Sequence, residues 1–210
     1  MVWINFDWLK YESEQFQESL NHRIRDAYLA AHSVLEKAYG ETKEKLYGEL
    51  NKATDEESHE LTSQVIDYEE FRWIDQTEAL AAMALTLLAS QMKSFLDEQK
   101  QRFNKTHPPD PKYAGTSELL KLATEYHARF NIDLERIEGF ETVREVSLAR
   151  NCCVHKGSIP SEDYKTQTKQ RLLNNNGNIS LTPEQLDSII GELSQFANSL
   201  TGLLSAVRKK

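Results

Sequence analysis

Apolar residues recur at three- and four-residue spacing along most of this chain, the period of helices with one buried face. From Phe6 to about Leu50 the stripe Phe16, Leu20, Ile24, Ala27, Ala31, Val34, Leu35 and Ala38 predicts one long helix. Gly40 is the place where that helix could break or kink. The acidic stretch from Asn51 to Glu60 has almost no apolar residue and reads as a solvated turn. A second long helix runs from about Leu61 to Asn104, on the stripe Phe71, Ile74, Leu80, Ala84, Leu87, Leu88, Phe95 and Phe103. Thr106-His107-Pro108-Pro109-Asp110-Pro111 ends it, because proline removes backbone donors and disfavours helix in the residue before it.

Shorter elements are expected in the second half. A helix capped by Thr116 or Ser117 runs to about Phe130, and Ile132 to Gly139 is a junction or a short helix. The next helix carries Phe140, Val143 and Val146 and ends near Gly157. Ser158 to Lys169 reads as irregular or as a short helix. Asn174-Asn175-Asn176-Gly177-Asn178 is a turn signal that could join two very short strands near residues 172–181. Thr182-Pro183-Glu184-Gln185 has the cap, the first-position proline and the returning glutamine of a helix start. Beyond it lies a broad apolar face from Leu186 to Val207. The expectation is an all-α bundle of long antiparallel helices in one domain, with residues 1–70 as an N-terminal helical extension and 71–210 as the core.

Composition agrees with long helices, since 210 residues include only 8 glycines and 5 prolines. The formal charge of −8 argues against a tight nucleic-acid binder, which needs cations to neutralise phosphates. It weighs less against a catalyst with a local basic site. The start of the chain has no basic segment followed by a long apolar one, and the most apolar run, Ala79 to Ala89, is too short to cross a bilayer. A cytoplasmic protein without a membrane partner is expected. Cys152 and Cys153 are adjacent, a poor arrangement for a structural bridge, and read as reduced and packed. The histidines and carboxylates show no metal-binding spacing, so neither metal nor other cofactor is expected. Trp3, Trp8 and Trp73 are most simply core or interface anchors.

The richest short stretch is Arg150-Asn151-Cys152-Cys153-Val154-His155-Lys156-Gly157. It offers a permanent cation, an amide and an imidazole beside a helix-ending glycine. Such a set suits cleavage of RNA by its own 2′-hydroxyl: histidine moves the proton, while arginine and asparagine meet charge developing on the phosphoryl oxygens. Five residues of helix separate Arg150 from His155 by about 140°, so the arginine must bend round, the helix must end early, or a second subunit must complete the site. Arg150 could instead pair with Glu145, and His155 could cap helix carbonyls. Lys156, Glu78 and Tyr164 are further candidates to touch a bound phosphate or to orient the pair.

The same stretch resembles the Arg-x4-His signature of the HEPN superfamily (higher eukaryotes and prokaryotes nucleotide-binding domains), often Arg-Asn-x-x-x-His. Gly177 to Glu184, before the final helix, is also similar to the segment downstream of that signature in several members. The resemblance implies an all-α bundle and, commonly, a metal-independent endoribonuclease of toxin–antitoxin, phage-defence or RNA-processing systems. It implies a homodimer in which two motifs share one cleft, an RNA substrate, and an antitoxin or regulatory protein as partner. Carried over by position, Arg150 and His155 are the catalytic pair and Asn151 the polar residue beside them. Some members are non-catalytic, which gives the alternative of a helical module that binds a partner protein or a nucleotide.

Overall fold

Asp7 opens the first helix, α1 (Trp8–Glu18), by accepting a hydrogen bond from the Lys10 amide in a computed structural model that describes residues 7–104 and 119–208. The chain then continues without a break through π-helical turns at Ser19–Arg25 into α2 (Asp26–Leu50). Leu9, Phe16, Leu20, Ile24 and Tyr28 point inward along this rod, and Phe16 stacks on Phe95 with centroids 4.6 Å apart. Gly40 does not break it, because α2 is helical from end to end. The irregularity lies earlier, in the π-helical turns. Wider turns rotate the residues beyond them, so Ala27, Val34 and Ala38 of the expected stripe face solvent while Tyr28 faces the core.

After a turn at residues 51–55, α3 runs unbroken over Glu56–Asn104, 49 residues. It begins five residues before the expected start because Asp55 caps it, accepting from the Ser58 amide at 2.7 Å and from the Ser58 hydroxyl at 2.8 Å. Its second half is central: Ala81, Ala84, Leu85, Leu88, Met92, Phe95 and Leu96 are buried. Its first half is different. No residue from Leu29 to Leu80 is buried, so α2 and the first half of α3 form a two-helix arm packed on itself. Tyr39 stacks on Trp73 within it, at 4.9 Å and 19°. The segment expected as an N-terminal extension therefore divides: residues 7–28 pack on the core, and the arm comprises about residues 29–80.

The remaining helices close the bundle. They are α4 (Leu119–Phe130), α5 (Phe140–Lys156), the short α6 (Glu162–Gln167) and α7 (Pro183–Arg208), with a 3-10 turn at Leu134–Arg136. The proline connector, the Thr116 and Ser117 caps, and Trp3 lie outside the described residues. Tyr126 of α4 donates to the Leu96 carbonyl at 2.7 Å, fixing α4 on α3. The start of α7 is a reciprocal box: the Thr182 amide donates to the Gln185 side chain at 2.7 Å, and the Gln185 amide to the Thr182 hydroxyl at 3.2 Å. Leu186, Ile189, Leu193, Phe196, Leu200 and Leu204 then fill the centre of an all-α fold. The short hairpin contracts to one antiparallel bridge, Leu173 with Ile179, and there is no strand among the described residues. One window of α3, with a mean hydropathy of 1.4, is long and apolar enough to cross a membrane by length and composition alone, and 39% of it is buried in the bundle.

Candidate active site

The helix that carries the motif is held at both ends by left-handed residues. Gly139 precedes α5 with φ 88°, and a Cβ there would lie 2.5 Å from the Glu192 carbonyl oxygen of α7. Only glycine lets α5 start this close to α7. At the other end Gly157 and Ser158 have φ 56° and 66°, and both amides bond back to the Cys152 carbonyl. The chain thus leaves the helix axis immediately after Lys156. Val143, Val146, Ala149 and Cys152 form the buried side of α5.

The opposite side is open to solvent. Arg144, Ser147, Asn151, Val154 and His155 occupy it at helical spacing, with Arg150 at one edge and Lys156 in the last turn. The helix extends past His155, so the separation of Arg150 and His155 remains about 140° round the axis. The arginine bends toward the histidine side: its Nη1 donates to Asn151 Oδ1 at 3.0 Å, and Asn151 lies one turn before His155. Among the described residues, neither Arg150 nor His155 forms an ion pair, and His155 makes no hydrogen bond that would cap a carbonyl. Glu145 faces the other way and is occupied by Arg171, at 2.8 Å. Arg144 and Ser147 belong to no motif, although three- and four-residue steps back from Asn151 reach them on the same face; Arg144 pairs with Glu135 at 2.9 Å.

The cysteines hold the turn at the end of α5. Cys152 is buried, and its sulfur accepts from the Ser161 amide at 3.3 Å; Ser161 in turn caps α6. Cys153 takes a hydrogen bond from the Ser158 hydroxyl at 3.7 Å, and burial pushes its thiol above the ordinary range. Both are free thiols.

Glu78 and Tyr164 serve other contacts. Glu78 reaches from α3 to the asparagine turn and accepts from Asn174 at 3.3 Å and Asn178 at 3.4 Å. Its contacts fix that turn over the end of α5 instead of meeting Arg150 or His155. Tyr164 corrects the expectation of a phosphate contact: it is fully buried, donating to Glu145 at 3.1 Å and accepting from the Leu172 amide at 3.2 Å. Burial raises its pKa, with the Glu145 charge adding to the effect, so it is a neutral core hydroxyl. Lys156 is exposed beside His155.

The three motif side chains therefore share an open surface. A cavity of about 200 Å³ lies elsewhere, between α1 and α3, lined by Glu12, Phe16, Arg23, Phe95 and Glu98. Comparison with known proteins finds no matching family model, no matching curated protein and no matching solved structure.

Proposed function

We propose that the protein is a metal-independent endoribonuclease of HEPN type, acting in the cytoplasm as a toxin or phage-defence component. The observation that carries this reading is that, among the described residues, Arg150 and His155 have no carboxylate partner, with the arginine tied to Asn151 on the histidine side of the helix. An unpaired guanidinium keeps most of its donors for phosphoryl oxygens, and an exposed imidazole can reach a sugar hydroxyl. One exposed helix face offers a single wall. A second copy of the chain, facing the first across a two-fold axis, supplies the other wall and a second imidazole.

In that composite site one neutral imidazole takes the proton of a 2′-hydroxyl. The oxygen attacks the adjacent phosphorus, the bond to the 5′-oxygen breaks, and the imidazolium of the second copy protonates that departing oxygen. The products are a 2′,3′-cyclic phosphate and a free 5′-hydroxyl. Arg150 and Asn151 meet the charge that builds on the non-bridging oxygens.

The test is incubation of purified protein with single-stranded RNA, with and without a chelator. Cleavage should survive the chelator, fall by about 10²- to 10⁴-fold in His155→Ala, and fall by about 10²-fold or more in Arg150→Ala. Equal cleavage by wild type and His155→Ala would identify a contaminant. No cleavage by either would leave the non-catalytic module, which binds a partner protein or nucleotide, as the better reading. Growth arrest by the wild type and not by His155→Ala, on expression in cells, tests the toxin role.

A further inference from the structure

The arm has an outer face that nothing among the described residues covers. Along α3, Leu61, Val65, Tyr68, Phe71 and Ala79 lie on the side turned away from α2, and Met83 continues the row onto the body of the bundle. At 100° per residue these side chains fall within an arc of about 120°. Tyr68 is 66% exposed, Phe71 72% and Met83 63%, each more than half open to water. With a rise of about 1.5 Å per residue, the row extends for about 33 Å. Apolar side chains exposed singly need no explanation, but several on one helix face, interrupted between Phe71 and Ala79 only by Arg72, Asp75 and Gln76, mark a contact surface.

The charge beside the row selects its occupant. Between Glu56 and Glu78 there are eight carboxylates and one arginine, nearly the net charge of the whole chain of −8. Glu60 and Asp67 border the row on the Phe71 side, and Glu57 and Asp75 lie within its arc; all four are exposed and, among the described residues, without a cation. Arg72 is held by Glu69 at 3.4 Å. Two copies of α3 meeting through this face would bring acidic edges together, at a cost in repulsion. A helix with an apolar stripe bordered by lysine or arginine would bury the row and neutralise its edge.

We propose that the outer face of α3, from Leu61 to Met83, is a docking surface for a cationic amphipathic helix of a partner protein. This surface lies on a different helix from Arg150 and His155 and stands or falls apart from the catalytic reading. The apolar row supplies affinity through burial, and the acidic edge supplies encounter rate and register.

A synthetic helical peptide of about 20 residues, with leucine along one stripe and lysine on its borders, tests this by fluorescence anisotropy against the full chain. The comparison peptides carry glutamate in place of lysine, or the same residues in scrambled order. The lysine peptide should bind at micromolar concentration, the glutamate and scrambled peptides at least tenfold more weakly. Val65→Ser/Phe71→Ser and Glu60→Lys/Asp67→Lys should each weaken binding by tenfold or more. Leu203→Ser, at an exposed apolar side chain of α7, should leave it unchanged. Circular dichroism of each variant checks that the helices remain. Equal binding by the scrambled peptide, or binding insensitive to Val65→Ser/Phe71→Ser, would overturn the proposal as unspecific attraction to an acidic protein. A dimer in sedimentation that Val65→Ser/Phe71→Ser dissociates would overturn it in favour of a second copy.

Discussion

Arg171 joins two helices, α5 and α7, through one side chain. Its Nε donates to Glu145 of α5 at 2.8 Å, Nη1 to Glu192 of α7 at 2.7 Å and Nη2 to Thr142 at 2.8 Å, while its own amide donates to Glu145 at 2.7 Å. Thr142 donates in turn to Glu192, and Tyr164 of α6 closes the group on Glu145. Glu145 is buried, so loss of its cation leaves an uncompensated charge. Arg171→Met is expected to lower unfolding stability by about 3 kcal/mol, read from urea titration at pH 7. Adding Glu145→Gln to it should restore part of the loss, since the stranded charge is then gone. Burial raises the Glu192 carboxyl, but hydrogen bonds from Arg171 and Thr142 and the Arg171 charge outweigh it and leave the group below its ordinary 4.5. A lowered folded-state value means the contribution is complete above that ordinary value and is lost as pH falls through the folded one. The gap between wild type and Arg171→Met should therefore narrow in acid. A gap that widens as pH falls would contradict this account.

At the scale of elements, two glycines show how differently the same residue type is used. Gly139 sits at φ 88° with no room for a Cβ against Glu192, whereas Gly40 is mid-helix with nothing within 4 Å of where a Cβ would go. Gly139→Ala should cost about 2 kcal/mol or more by thermal unfolding, through backbone strain and displacement of α5 from α7. Gly40→Ala should instead stabilise α2 by about 0.5–1 kcal/mol, read as slower amide exchange along that helix. Local signals made most elements legible: the Thr182 box, the left-handed Gly157 and the apolar period of α7 are written in neighbouring residues. The π-helical turns at Ser19–Arg25 carry no such signal, because they arise from packing on α3 and α7. The altered phase there moves Val34 and Ala38 from an expected core stripe to the surface. The motif was legible as a set of residues, and so was the angle between Arg150 and His155. The engagement of Glu145 by Arg171 was not, since it depends on a residue 26 positions away, and the Arg150–Asn151 bond was not, since it depends on the rotamer the arginine adopts.

The whole molecule combines a bundle with a filled centre and an arm with none. Phe71 shows why the arm escaped the sequence: its spacing with Ile74 and Leu80 fits a buried stripe, and only the shortness of the bundle beside it decides that it stays in water. Without buried side chains from Leu29 to Leu80, the arm should open locally at lower free energy than the core. Amides of residues 37–50 and 58–70 are expected to exchange at least about 100-fold faster than those of α5 and α7. Equal protection would mean that the arm is covered in solution.

The unbroken course of α3 gives this division a mechanical side. From Glu56 to Asn104 it has neither glycine nor proline, so arm and bundle share one rod without a joint. The stretch from Glu56 to Ala81 is about 37 Å long. A tilt of about 10° at its base, within the play of packed helices, would swing the tip by about 6 Å. Such a tilt would pivot near Glu78, the residue that clasps the asparagine turn over the end of α5. Force applied far out on such a lever would be delivered, reduced in travel and increased in strength, beside the turn at the end of the motif helix.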